Sequence, residues 1–187
     1  MHRVIRGLIW ARACDRPSSI PQGRPRGAKR RGISYESALA AHLTFAKHGQ
    51  WFEFQDLNGR GYCQVDLLCE TPEQDWITTH PRNRLVDVLE VKYSWVPEAH
   101  SQIEQLYRPV VERALGATVL PIVVCKNIVG LPGGIEIADS YWRAHQLAKV
   151  GKLVVWHWLG SQIRPTPRAR TGSKRSAKMP RSGELGL

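Results

Sequence analysis

The segment that most restricts the fold of this chain is residues 118–125, Thr-Val-Leu-Pro-Ile-Val-Val-Cys, the longest apolar run in its 187 residues. It falls far short of the roughly 18 residues of a membrane span. A short run that is apolar on both of its alternating faces is a strand covered from both sides, as in the parallel part of an α/β sheet. The flanking segments agree. Residues 34–48 have a helical period, with Ser34 placed to cap the start, Leu39, Leu43 and Ala46 on one face, and Gly49 at the C′ position. Residues 50–57 and 61–69 read as strands around the turn signal Asn58-Gly59. A polar, proline-broken loop over 70–83 leads to a third strand at 85–92. Residues 98–115 read as a helix bent at Pro109, because a proline inside a helix loses a hydrogen bond. Residues 139–150 form a further helix and 152–159 a last strand. The order α-β-β-β-α-β-α-β predicts an α/β domain whose central mixed sheet begins antiparallel, continues through crossovers to parallel strands, and is flanked by helices.

The net charge of +11 is unevenly placed. Residues 1–32 carry nine Lys/Arg against Asp15, and residues 160–187 carry seven against Glu184, while 33–159 hold eleven bases and fourteen acids. This divides the chain into a basic arm (1–32), a domain (33–159) and a basic tail (160–187). Residues 16–32 and the tail are rich in Pro, Gly, Ser and Arg and cannot offset their ordering entropy by burial, so they are expected to be flexible alone and to lie on polyanions. Arg30, Arg31, Lys174 and Arg175 are the arm and tail residues expected to meet phosphate. The apolar patch Leu8–Trp10, flanked by Arg6 and Arg12, is too short for a secretory signal and reads as a short docking helix.

Other chemistries are poorly represented. Cys14, Cys63, Cys69 and Cys125 show no CxxC spacing and read as free core thiols of a reducing compartment. The seven histidines form no HExxH or HxxxH pair, no GxSxG elbow is present, and Leu131-Pro132-Gly133-Gly134 is a turn with no phosphate-loop lysine after it. Trp51, Trp156 and Trp158 fall in predicted strands and read as core; Trp76 and Trp95 fall in loops, where they could stack on an unpaired base.

The charged residues inside the apolar strands carry the functional signal. Glu90 and Lys92 are two apart and point to one side of their strand, at the end of the apolar run Leu-Val-Asp-Val-Leu-Glu-Val-Lys. Asp66 sits in the preceding strand within Val-Asp-Leu-Leu, and Glu36 in the opening helix. Isolated buried charges are costly, so these groups must pair or bind something. If Asp66 lies alongside, two carboxylates, the Val91 carbonyl and water make a hard-cation site for Mg²⁺ or Mn²⁺. Lys92 would orient or deprotonate a water whose acidity the metal raises. The bland alternative is a surface Glu–Lys pair and an unrelated aspartate.

Over residues 34–125, with Asp66, Glu90-Val91-Lys92, Glu36 and the Gln-bearing helix Gln102-Ile-Glu-Gln105-Leu-Tyr107, the chain resembles the PD-(D/E)xK, or restriction-endonuclease-like, nuclease superfamily, including its resolvase-like and exonuclease-like branches. It departs from the pattern in two places. Val65 stands where the eponymous proline would be, and Gln102 and Gln105 leave four and one residues before Tyr107, where the exonuclease branch leaves three. The resemblance implies a restriction-endonuclease-like αβββαβ core and Mg²⁺-dependent hydrolysis of DNA. In that reading Asp66, Glu90 and the Val91 carbonyl ligate the metal, Lys92 handles the water, Glu36 assists, Gln102 or Gln105 supports the site, and Arg108 contacts phosphate. The expected activity is of a repair, recombination or end-processing type, and the size suits a phage-encoded or mobile-element protein. Two alternatives stand beside it: the same fold as a DNA-binding or structural component of a virion or nucleoprotein particle, its tails ordered by partners, and an RNA-directed nuclease. DNA is the expected partner, with a homodimer or larger assembly also open, no membrane, and a cytoplasmic or virion-associated location.

Overall fold

The computed structural model describes residues 3–21, 27–70 and 84–160. Seven strands form one sheet in the order β1-β2-β3-β4-β5-β7-β6: β1 (Trp10–Cys14), β2 (Lys47–Asp56), β3 (Gly59–Glu70), β4 (Leu85–Ser94), β5 (Thr118–Asn127), β6 (Ile135–Ala138) and β7 (Leu153–His157). The β1-β2-β3-β4 half is antiparallel, while β4-β5, β5-β7 and β7-β6 pair parallel. This is the mixed α/β sheet that the segment order predicts. Residues 118–125 lie where their composition demands. Val119, Val123 and Cys125 pack into one core layer, and Leu120, Ile122 and Val124 into the other. The first layer is closed by a long helical segment: α2 (Glu98–Gln102), a π-helical turn (Ile103–Tyr107) and α3 (Arg108–Leu115). The second is closed by α1 (Ala28–His42) and α4 (Tyr141–Lys149).

The structure corrects several sequence expectations. The opening helix spans Ala28–His42 rather than 34–48, so Ser34 is inside it, and its hydroxyl donates back to the Arg30 carbonyl (3.0 Å) instead of capping. Residues 47–49 belong to β2, where Gly49 adopts φ 66°. That left-handed geometry suits glycine, and a Cβ there would stand 2.7 Å from the Gln64 side-chain nitrogen. The stretch Ile135–Ala138, not assigned in the sequence reading, is an edge strand on β7.

The largest correction concerns the basic arm. Residues 10–14 are not a docking helix but the outer strand of the sheet, paired in register with Trp51–Gln55. Ordinary main-chain pairing holds the segment, and ion pairs reinforce it. Arg12 reaches the buried Glu53 (2.6 Å), Arg3 pairs with the fully buried Asp56, and Ile9 N–H donates to the Gln55 carbonyl (2.8 Å). The arm also supplies a partner that a helix lacks. Pro109 cannot donate to the carbonyl four residues before it, that of Gln105, and Ile5 N–H donates there instead (3.1 Å).

Asp56 gives this docking a pH dependence. Burial alone would raise its pKa, but Arg3 and the N–H groups of Arg6 and Asn58 outweigh burial and hold it below its ordinary 3.8. A carboxylate with a lowered folded pKa contributes stability that is present above its unfolded pKa and lost as pH falls through the folded one. Residues 3–14 are therefore expected to gain hydrogen exchange and protease sensitivity on acidification below pH 4 before β4 and β5 do. Asp56→Asn should show the same loosening at neutral pH.

On the other core layer, Asp87 is wholly buried and accepts from the Tyr141 hydroxyl and from Nδ1 of His145 (2.9 Å), tying α4 to β4. Asp87→Ala strands both donors, and chemical denaturation should register a loss of about 2–6 kcal/mol, one to three for each unsatisfied group.

Candidate active site

The site begins with a fault in the sheet. Residues two apart on a strand share a face, yet Val65 packs into the first core layer and Leu67 into the second, with Leu68 returning to the first. The alternation of β3 breaks at Asp66. Across from it on β2 stands Gly49, flanked by the pairs His48↔Leu67 and Gln50↔Val65. On the other side the β3–β4 ladder runs from Glu70↔Val86 to Leu67↔Leu89 and stops one step before Asp66 would meet Glu90. The two strands part there, and the Asp66 side chain enters the gap, where its Oδ2 accepts from Val91 N–H at 2.8 Å. A carboxylate thus takes the place of a main-chain acceptor. Because a strand residue's N–H and C=O point to the same neighbour, the Val91 carbonyl faces the same gap.

Glu90 lies next to this contact and is 1% exposed. One oxygen, Oε1, is held by the Lys92 ammonium; the other, Oε2, is buried and has no hydrogen-bond partner. Glu36 of α1 approaches from the other side of the gap and is paired with His48 Nε2 at 2.7 Å. Burial first, then the charges of Glu90 and Glu36, push the Asp66 pKa well above its ordinary value, against the pull of Val91 N–H and Lys92. Burial likewise raises Glu90, more than Lys92 and the nearby Tyr107 hydroxyl lower it. Burial alone would lower Lys92, but Glu90, Asp66 and Glu36 together raise it, so the ammonium stays protonated. The cluster holds three carboxylates against one lysine in a poorly solvated gap, an arrangement short of positive charge.

The helical segment over this face resolves the irregular Gln–Tyr spacing. Arg108 N–H bonds to the Ile103 carbonyl, five residues back, as the π turn requires. The wider turn absorbs one residue, so Gln102 and Tyr107, five apart in sequence, meet: the Gln102 amide donates to the Tyr107 hydroxyl. Tyr107 is 3% exposed and sits beside Glu90 and Asp66. Gln105 is exposed, and Gln102 is the glutamine bonded to the Tyr107 hydroxyl beside Glu90.

Not every expected residue joins this cluster. Glu36 does, but from the middle of its helix rather than the first turn. Arg108 does not. Its guanidinium is bound to Glu104 (2.5 Å), to the Val119 carbonyl (3.2 Å) and, more loosely, to Glu112, at the start of β5. These bonds brace α3 against the sheet. Arg30 and Arg31 lie in the first turn of α1, away from the carboxylates. Lys174 and Arg175 lie outside the described residues. His48 was not singled out from sequence. Only the extension of β2 back to Lys47 places it against Glu36, and no residue pattern announces that extension. Cys63, Cys69 and Cys125 are free and buried, their thiols pushed up to about 12 mainly by burial, so they are inert here.

Among the described residues no group of three or more His, Cys, Asp and Glu is arranged to hold a metal ion, and Glu36 is paired with His48. The pair of Asp66 and Glu90 nevertheless fits a hard cation. It presents an orphaned carboxylate oxygen, a second carboxylate held against it and a main-chain carbonyl in one gap, all oxygen donors of the kind Mg²⁺ and Mn²⁺ take. Comparison with protein-family models, with curated proteins and with solved structures returns no match. No helix among the described residues is long and apolar enough to cross a membrane.

Because burial and the neighbouring carboxylates disfavour the charged form of Asp66, Asp66→Asn should stabilise the metal-free protein. At neutral pH its melting temperature should exceed wild type by a few degrees, about 2–4 °C per kcal/mol at this size. A raised carboxylate pKa contributes stability at low pH that is lost as pH rises through the folded value. The advantage of Asp66→Asn should therefore shrink as the buffer is made acid. Millimolar Mg²⁺ or Mn²⁺ should raise the wild-type melting temperature and leave the variant's unchanged.

Proposed function

We propose that this protein is a metal-dependent nuclease that hydrolyses DNA phosphodiester bonds, built on a restriction-endonuclease-like fold. The observation that supports this most is the gap between β3 and β4, where Asp66 and the half-unpaired Glu90 converge beside Lys92. The order of elements from α1 through β5 and the presence of Glu36 at the gap's edge also agree with it.

In this reading Asp66, Glu90 and the Val91 carbonyl hold one Mg²⁺ or Mn²⁺, which when bound supplies Lewis-acid polarisation of the phosphate and a more acidic water. The chain's own groups do the rest. Asp66 is fixed by Val91 N–H, so its free oxygen is aimed without cost at the moment of reaction. Lys92 is kept protonated by its carboxylate neighbours, which makes it a donor that orients the attacking water and offsets charge on the phosphate, rather than the base that takes the proton. Glu36, with His48 behind it, is the group placed to accept that proton. Gln102 holds the Tyr107 hydroxyl beside Glu90 and so keeps that carboxylate in place. Restriction by sequence calls for groups that read base edges, and no separate sequence-reading module stands among the described residues, so an end-processing, repair or recombination activity is the form of the proposal.

The test is cleavage of plasmid and of short duplex, single-stranded, branched and RNA substrates with Mg²⁺ or Mn²⁺. Glu90→Gln and Lys92→Ala should each lower the rate by about 100-fold or more, the scale of losing one preorganised charge at a reacting centre. Undiminished cleavage in both variants would overturn the assignment.

A further inference from the structure

Lys92 points to the carboxylates, and the next residue, Tyr93, points to the opposite face of the sheet, where a second concavity opens. It has a volume of about 590 Å³ and is lined by Arg30, Arg31, Tyr35, Tyr93, Lys126 and Trp158 among others, none of them acidic. Its charge is uncompensated. The Arg31 guanidinium and the Lys126 ammonium both lie over the Tyr93 ring, at 5.9 and 5.6 Å from its centre, and among the described residues neither they nor Arg30 forms an ion pair. Helix α1 adds to this. Its N-terminus opens on Gly27 with no acid in the first turn and, among the described residues, no side-chain cap to answer its positive end. Like charges gathered at one ring repel unless an anion joins them.

The opposite wall is aromatic and rigid. Tyr35 packs edge-on to Tyr93 (5.9 Å between ring centres) and against Trp158 (5.1 Å), and its hydroxyl is fixed on the Trp158 carbonyl at 2.6 Å. Both Tyr35 and Trp158 are buried at 7% exposure, so only ring edges and the Tyr93 surface meet the cavity. The position matches the place where α/β sheets take ligands, beyond the carboxyl ends of neighbouring parallel strands, here β4, β5 and β7. An inorganic anion would satisfy the cations but leave most of this volume and the aromatic wall unused. A ligand with an anionic head and a flat π body uses both.

We propose that this pocket binds a nucleotide unit, with its phosphate on Arg30, Arg31 and Lys126 and its base against the Tyr93–Trp158 wall. The unit is either a free mononucleotide or one residue of a single strand crossing the end of β4. The inference stands on the pocket alone. It is tested in EDTA, without cleavage, so its failure and that of the nuclease reading are separable.

The full-length chain is titrated at about 0.15 M salt, where long-range attraction to the tails is screened, with 5′-dAMP, a short oligothymidylate and inorganic phosphate. Binding is followed by tryptophan fluorescence and by calorimetry. The expected result is saturable binding of dAMP, with inorganic phosphate at least about 10-fold weaker, the scale of losing one base stack. Tyr93→Leu removes the ring without changing charge and should weaken dAMP by about 10-fold; Lys126→Glu should weaken it at least as much, and a melting curve checks that each variant is folded. If Tyr93→Leu unfolds, Lys126→Glu, at a strand end near the surface, decides. Oligothymidylate binding that is tighter than dAMP and equally sensitive to Tyr93→Leu identifies a strand as the source; equal or weaker binding identifies the free nucleotide. The proposal is overturned if dAMP does not saturate at millimolar concentration, if inorganic phosphate binds as tightly, or if folded variants bind dAMP like wild type.

Discussion

The parting of β3 from β4 at Asp66 is the feature on which the rest of the site depends. A regular antiparallel ladder would have set Asp66 opposite Glu90 as a non-hydrogen-bonded pair and bonded Val91 N–H to the Val65 carbonyl. Instead the alternation of β3 fails at one residue, the ladder ends at Leu67↔Leu89, and a carboxylate takes the Val91 N–H that the lost pairing would have satisfied. The exchange preserves the backbone hydrogen bond while bringing a negative charge within reach of Glu90. Gly49, the only residue type that accepts φ 66° without strain, lets β2 follow the same distortion. A break in pairing and a charged cluster are therefore a single event in the fold.

The helical segment on that face shows a second case of one irregularity answering another. Pro109 has no N–H to give to the Gln105 carbonyl, and just before it the helix widens into a π turn. The widening brings Gln102 onto Tyr107 at the site, and the Gln105 carbonyl is taken by Ile5 from the start of the chain. The N-terminal segment is thus tied to the helix that covers Glu90 as well as to the sheet edge through Arg3, Arg12 and Trp10–Cys14. Loosening that edge would be felt at the helix that positions Tyr107.

How much of this the sequence carries depends on the range of the interactions. The apolar run at 118–125, the turn Asn58-Gly59 and the doublet Glu90–Lys92 are legible because local periodicity decides them, and strand alternation alone puts Glu90 and Lys92 together. The start of α1 was misplaced because Ser34 offers a capping side chain, while the true first turn, Lys29-Arg30-Arg31, has the wrong charge for a helix N-terminus. Residues 10–14 were read from their basic surroundings as part of an arm. Their strand state comes from the free edge of β2 and from Glu53 and Asp56, acids more than forty residues away that need those arginines. The π turn was visible only as a spacing that did not fit. His48 beside Glu36 follows from the register of β2 on β3, which no short motif encodes.

The same reasoning explains why the positive charge is placed as it is. The carboxylate gap lacks positive charge and the pocket behind it lacks negative charge, yet the two meet at consecutive residues, Lys92 and Tyr93, on one strand end. On the carboxylate side Glu90 is buried, where unpaired charge is costly, whereas Arg30 and Arg31 on the other side are exposed. The backbone keeps the two regions apart, because alternation sends neighbouring side chains to opposite faces, and Glu36 is turned toward His48 while Arg30 and Arg31 project from another side of α1. Helix α1 therefore acts as a partition between two regions of opposite unmet charge. The carboxylate side is therefore left open to a cation, and the other side, where Arg30 and Arg31 are exposed, to an anion.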